Sequence, residues 1–335
     1  MTRIWIEFAL CVVAIGVGGF RLAQLADVIA FKSGMSRNWV GIGLMATVTS
    51  LPELVTGASS VVLADAPDIA VGNAMGACVF NLFVLGCVDL GFRSGSVFHS
   101  PNRGHVLSAS FAILMFALVG FNLLLGDRGA LLAIGHVGLY SLLIVALYAG
   151  AIRALYMFER AAPKDDTTVD PLPGVSLRRV ALMYSAWAAL VFGGALALPL
   201  VAERLAQAMQ WSETFVGTLL VAVVTTLPET VTTISALRIG AIDLAIGNLL
   251  GSSLFNVLIL SIDDLLYLRG PLLAHVSALH AFSAFSAIAM AAVATAGWVV
   301  RPPGRILRIA GWVSLLLIGL YVVNALVLLA HGNAA

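Results

Sequence analysis

The sequence predicts an all-α integral membrane protein: ten transmembrane helices arranged as two inverted five-helix repeats. Three observations predict it. They are an apolar excess along the whole chain, apolar runs of membrane-spanning length, and two motifs that each occur twice in the same order. Hydrophobic residues make up 61% of the 335 and charged residues 10%, with a mean hydropathy of +1.03, which is too apolar for a soluble domain of this size. A formal net charge of +1 supplies no basic field, so a nucleic-acid partner is not indicated.

Runs able to cross about 30 Å of hydrocarbon fall at 4–31, 40–64, 68–91, 105–126 and 129–157, then at 178–202, 214–237, 243–267, 273–299 and 306–330. Arg3 ahead of the first run gives it the look of a signal peptide. Its counterpart at 178–202 sits mid-chain, so 4–31 is read as the first span. The stretch 159–176, with Pro163, Lys164, Asp165, Asp166, Pro171, Pro173 and Gly174, reads as a short cytoplasmic linker. It joins a first membrane repeat, 1–158, to a second, 177–335. Cys11, Cys78 and Cys87 all fall within apolar runs without metal-ligand spacing and read as packing residues.

The repeats are visible residue by residue. Thr49-Ser50-Leu51-Pro52-Glu53 recurs as Thr225-Thr226-Leu227-Pro228-Glu229, and the stretch Asp68 to Asn81 recurs as Asp243 to Asn256 with Asp, Gly, Asn, Gly, Phe and Asn in register. Such self-similarity marks a tandem duplication. Five spans is an odd number, so the second repeat enters the membrane from the side opposite the first, and the repeats are inverted. Orientation follows from Lys and Arg, which cytoplasmic loops retain. Thirteen of them lie at odd-numbered connections, against Arg3, Arg128, Arg204 and Arg269 on the other side. Both termini are therefore expected outside the cytoplasm, in a multi-pass protein of the cell (inner) membrane.

A carboxylate in the middle of a span is costly and marks a functional site by default. Glu53 and Glu229 are such groups, on antiparallel partners that can meet near the midplane. Thr49 and Ser50 share a helix face with Glu53, as do Thr225 and Thr226 with Glu229. Pro52 and Pro228 remove the hydrogen bonds that would use the carbonyls of Val48 and Val224, kinking each helix beside its acid. Asn73, Ala77 and Asn81 form a stripe at spacings of four, and so do Asn248, Ser252 and Asn256. Carboxylate, hydroxyl and amide oxygens together are what a hard cation requires. Gly72, Gly76, Gly247 and Gly251 are expected to let these helices approach their neighbours closely.

Blander readings stand beside these. Thr and Ser in membrane helices often bond back to their own backbone, and the asparagines also serve as interhelical glue. Asp89 and Asp264, which correspond between repeats, either line the path to the site or are solvated helix ends. Asp68 and Asp243 read as N-caps. A different class, a polytopic enzyme of prenyl-transferase type, would hold magnesium diphosphate on Asp263 and Asp264; the second acidic cluster and the basic residues it needs are missing.

The paired Thr-Ser/Thr-Leu-Pro-Glu and Gly-Asn-x-x-Gly-x-x-x-Phe-Asn motifs resemble the two alpha-repeats of the cation/calcium exchanger superfamily, nearest to prokaryotic sodium/calcium exchangers. The resemblance implies secondary antiport of calcium, or a related divalent cation, against sodium or protons, with helices one and six sliding across the other eight and no cofactor or catalytic residue. It maps the transport site onto Thr49, Ser50, Glu53, Asn81, Thr225, Thr226, Glu229, Ser252 and Asn256. It also implies the carbonyls of Ala46 and Ala222 as sodium contacts, leaving Asn73 and Asn248 as accessory positions. Four departures stand out. Ala77 replaces a usual Ser, Asn256 an Asp of many sodium-driven members, and Val48 and Val224 a usual Gly. Protein partners are not indicated either way.

Overall fold

The computed structural model describes residues 2–32, 46–92, 96–99, 103–129, 131–160, 172–238, 240–301 and 311–332. Those residues are helical apart from turns, loops and one two-stranded hairpin, Ala133–Ile134 with Val137–Gly138. The helices are α1 (Thr2–Lys32), α2 (Ala46–Thr49), α3 (Leu51–Val62), α4 (Pro67–Gly91), α5 (Gly104–Asp127) and α6 (Leu139–Arg160). They continue as α7 (Leu177–Met209), α8 (Glu213–Phe215), a π-helical segment Val216–Val221, α9 (Ala222–Thr225), α10 (Leu227–Arg238), α11 (Ile242–Leu266), α12 (His280–Val300) and α13 (Trp312–Gly332). Among the described residues eight helices are long and apolar enough to cross a membrane, and the pair Glu213–Thr225 and Leu227–Arg238, bent by 44°, makes a ninth if taken as one span. The expected span 40–64 corresponds to α2 and α3, its first residues lying outside those described. The expected linker 159–176 likewise falls mostly outside them.

Several expected boundaries move, each for a local reason. The run 129–157 begins its helix only at Leu139, because Gly129 and Gly135 adopt φ of 65° in turns that an α-helix excludes. The run 273–299 begins at His280, after Pro271 and a 3-10 turn at Leu272–Ala274. Asp68 and Asp243 are not N-caps. Ala66 and Ala241 hold those positions without a side-chain cap bond, and the two aspartates reach sideways to histidines instead.

α4 and α11 form the centre. Within their spanning windows 83% and 78% of residues are buried, against 22–44% for the other full-length spans. Small and polar residues on every side of these two helices allow that enclosure, whereas α1, α6, α7 and α13 turn rows of Leu, Val and Ile outward, the surface that lipid covers. α1 packs along α7, and Pro199 lies inside α7. Lacking an N–H, Pro199 cannot bond the carbonyl of Ala195 four residues earlier. Thr56 and Ser59 of α3 donate to that carbonyl instead, both at 3.3 Å. Gly19 of α1 lies directly on the ring of Pro228, so α1 rides over the kink of the second motif.

Loop contacts sort by side. Asp65 pairs with Arg269 at 2.6 Å, Asp68 with His280 at 3.0 Å, and Glu7 with Arg204 at 2.8 Å. At other ends His105 pairs with Asp243 at 2.9 Å and Lys32 donates to the Leu172 carbonyl at 3.0 Å. Each pairing joins segments that alternate crossing of a membrane would leave on one side. The two His–Asp pairs are counterparts at an offset of 175, with the histidine of each half meeting the aspartate of the other.

Candidate functional site

Both glutamates sit at helix breaks. α2 ends at Thr49, Ser50 stands at φ −90°, ψ 10°, and α3 starts at Leu51; α9 ends at Thr225, Thr226 stands at φ −83°, ψ 5°, and α10 starts at Leu227. The break falls two residues before each proline, where the missing N–H releases the preceding turn. Each carboxylate thus lies in the first turn of a new helix inside the protein, where peptide N–H dipoles favour negative charge. Glu53 and Glu229 are wholly buried, as are Thr49, Ser50, Asn73, Asn81, Thr225, Thr226, Asn248, Ser252 and Asn256.

The structure brings the two motifs together. Ser50 Oγ donates to Glu229 Oε1 at 2.8 Å, so the residue three before one glutamate holds the other. The hydroxyls of Thr49 and Ser252 also face Glu229, and that of Thr225 faces Glu53; the Ser252 hydroxyl closes no hydrogen bond of ordinary length. The two carboxylates are near enough for direct Coulomb repulsion, with no basic side chain among the described residues bonded to either. Neither oxygen of Glu53, nor Oε2 of Glu229, nor the amides of Asn81 and Asn256 has a hydrogen-bond partner among the described residues. Buried polar atoms ordinarily do. Such a set of acceptor oxygens around two like charges is suited to a hard cation.

Asn73 and Asn248 have a different task. Asn73 Nδ2 donates to the backbone carbonyl of Glu53 at 3.2 Å, and Asn248 Nδ2 to that of Glu229 at 3.3 Å. Asn73 Oδ1 accepts from Thr225 at 2.9 Å, and Asn248 also donates to Thr233 at 3.2 Å. These two residues tie α4 and α11 to the acid-bearing helices and so position the carboxylates. Thr226 bonds back to the Ala222 carbonyl at 2.6 Å, which also accepts the Thr225 hydroxyl at 3.1 Å and the Thr226 N–H at 3.0 Å. That carbonyl already has three donors. Ala46 is the first residue of α2.

Asp89 and Asp264 are not brought to this cluster. Asp264 accepts from Gly138 N (2.8 Å), Tyr140 Oη (2.5 Å), Ser141 Oγ (2.5 Å) and Leu272 N (2.7 Å). Asp89 accepts from Ser96 Oγ (2.6 Å), Val97 N (2.9 Å) and Ser314 Oγ. Both are loop clamps, saturated and buried, rather than lining a path or ending in solvent. The magnesium-diphosphate reading of Asp263 and Asp264 falls with this geometry, since both are fully enclosed. Of the glycines, Gly72 and Gly76 do abut the π-helical segment, at Gly217 and Thr218, while Gly247 meets no neighbour within 4 Å among the described residues. Thr218 was not singled out from the sequence; its buried hydroxyl is unpartnered beside that contact.

Comparison with known proteins agrees with this architecture. The family model described as sodium/calcium exchanger protein matches residues 3–149 and 180–330. The chain is 28% identical over 249 residues to the inner membrane protein YrbG of Escherichia coli, covering 71% of this chain and 72% of that one. It is likewise 28% identical over 245 residues to the putative antiporter CaxA of Alkalimonas amylolytica, covering 71% and 72%. Among solved structures, the sodium-calcium exchanger NCX_Mj is matched with a TM-score of 0.60 at 20% identity, over 96% of this chain and 98% of that one. YfkE is matched with a TM-score of 0.66 at 16% identity, over 96% and 92%. These structural likenesses are likenesses of fold.

Proposed function

The chain belongs to the sodium/calcium exchanger family, a family of multi-pass membrane transporters rather than enzymes, and on that premise we propose that it carries calcium, or a related divalent cation, against sodium by alternating access at a site between Glu53 and Glu229. Ten spans in two inverted repeats, with both termini outside the cytoplasm of the inner membrane, complete the proposal. The observation that carries it is the Ser50–Glu229 hydrogen bond, which joins the two motifs around two unscreened, wholly buried acids. The same-side pairing of loops supports the alternation of spans.

Electrostatics supplies the coupling. Two bare carboxylates in a low-dielectric interior repel each other and lack hydration, so moving the empty site across the membrane is costly. One divalent cation cancels both charges, and so do two sodium ions or two protons. Competition for the same oxygens makes transport an exchange. In this reading Glu53, Glu229, Ser252, Asn81 and Asn256 offer the oxygens, with Thr49, Ser50, Thr225 and Thr226 around them. Ala46 and Ala222 carbonyls belong to the same shell only if α2 and α9 unwind further there. Asn73 and Asn248 hold the glutamates in place, and α1 with α7 slides across the core, where Gly19 of α1 meets Pro228 and the Ala195 carbonyl of α7 meets Thr56 and Ser59 of α3.

A specific residue favours a second reading, proton-coupled exchange. Asn256 is an amide, so the cluster carries two carboxylates, and carboxylates in such surroundings take up protons readily. Purified protein in liposomes loaded with calcium, given a sodium or a proton gradient in turn, separates the two. Calcium flux driven by sodium supports the first and flux driven only by protons the second; no flux under either gradient overturns both.

A further inference from the structure

Beyond the two glutamates and the clamped Asp89 and Asp264, one further acid is buried in the core, and we propose that this acid, Asp263, is a proton-binding carboxylate of the transport pathway, protonated while the glutamate site is free of cation and ionised when a cation arrives. The inference rests on the exchange reading above and extends it to a residue that reading leaves unused.

The contrast with its neighbour isolates Asp263. Asp264 has four donors and a counterpart, Asp89, clamped in the same manner. Asp263 is wholly buried, and neither of its carboxylate oxygens has a hydrogen-bond partner among the described residues. Its counterpart in the first half is Val88, so the fold does not need an acid at this position. What makes room is Gly57. A Cβ at Gly57 would stand 2.5 Å from Asp263 Oδ2 and 2.9 Å from Oδ1, so the carboxylate occupies the space that any other residue would fill. The counterpart of Gly57 is Thr233, and no similar recess forms there.

Position links this recess to the site. Gly57 is one turn beyond Glu53 on α3, and Asp263 is two turns beyond Asn256 on α11, so both lie on the faces that carry the site's oxygens, about 6–10 Å along the helix axes. Both steps lead toward the end where Asp65 meets Arg269. The ligand follows from the surroundings. A metal cation needs a shell of oxygens, and among the described residues this carboxylate has no hydrogen-bond partner to bring one with it. A proton needs one oxygen.

The ionisable groups around it leave the proton as the neutralising partner. Asp264 bears on it with like charge, Tyr140 of α6 is committed to Asp264, and Glu53 on α3 and Glu229 on α10 are acids as well. His105 of α5 is bound to Asp243 at the far end of α11. A divalent ion arriving at Glu53 and Glu229 favours the ionised form of Asp263 through space, and by reciprocity a proton on Asp263 weakens cation binding. The proton leaves to solvent as the ion enters.

The test uses the purified full chain with calcium chloride as the probe. Infrared spectra of calcium-free wild type at neutral pH should contain a protonated-carboxyl band that D263N lacks, and calcium should bleach it. Proton release on calcium binding, followed in weakly buffered solution, should fall by about one proton per calcium in D263N, as linkage requires; D263E should restore it. A band and a proton release unchanged in folded D263N overturn the proposal while leaving exchange intact. Absent flux in liposomes overturns exchange, yet the calcium-free band still decides Asp263. Should D263N fail to fold, G57A presses a methyl onto Oδ2 and must shift the same band; a band that does not move overturns the assignment.

Discussion

Glu53 and Glu229 occupy equivalent positions in the two halves, yet their surroundings differ. Glu229 has one oxygen held by Ser50 across the interface, whereas the residue equivalent to Ser50, Thr226, turns its hydroxyl back to Ala222 and leaves both oxygens of Glu53 unheld. The extra methyl of Thr, packed in a helix whose preceding turn is π-helical, favours the intrahelical bond. A duplicated sequence has therefore produced one anchored acid and one free acid. In the exchange proposed above, the free one is the better placed to follow an ion between its two exits.

The most severe way to probe this difference is to remove each charge. E53Q is expected to lower divalent flux in liposomes about a hundredfold or more, and E229Q at least about tenfold, since an uncompensated buried charge costs about 3–5 kcal/mol. Equal wild-type flux in both would break the comparison and the site with it. The loop clamps give the next largest effect, on stability rather than flux. D264N, losing acceptor capacity for four donors, and D89N, losing it for Ser96, Val97 and Ser314 among others, should each lower unfolding free energy in detergent by about 2–3 kcal/mol. Unchanged stability in either would show that the halves are not braced as described.

Asn73→Ala and Asn248→Ala each free a glutamate carbonyl, and each should weaken calcium affinity about tenfold, corresponding to about 1.4 kcal/mol. N73A should be the worse of the two in a calorimetric titration, because the second partner of Asn73, Thr225, faces Glu53, whereas the second partner of Asn248, Thr233, lies one turn beyond Glu229. The smallest contrast is the most diagnostic. S50A should weaken calcium binding about fivefold, for one lost hydrogen bond of about 1 kcal/mol, whereas T226V should leave it within about twofold because its hydroxyl serves its own helix.

Much of this was legible in the sequence, and the reasons are physical. An acid inside an apolar run is conspicuous, and its recurrence with Pro one residue before it locates both helix breaks. The asparagine stripes were legible as a face but not as a division of labour. Nothing in the spacing tells Asn73, which grips a backbone carbonyl, from Asn81, whose amide stays free, because that depends on how α3 leans on α4. Asp89 and Asp264 were equally visible, but their donors come from loops seven to eight residues downstream and from the opposite half, contacts that no periodicity encodes. Asp263 shows the reverse. Its mismatch with Val88 was readable as soon as the halves were aligned, and only the recess at Gly57 gives that mismatch a meaning.

The crossed His–Asp pairs carry a consequence for any attempt to divide the molecule. His105 finds its acid in residues 177–335 and His280 finds its acid in 1–158, so each segment on its own would enclose an imidazole facing nothing. Two fragments made separately in one cell would be obliged to clasp each other, and an ancestral single-length version would have met the same requirement by dimerising with its twin upside down.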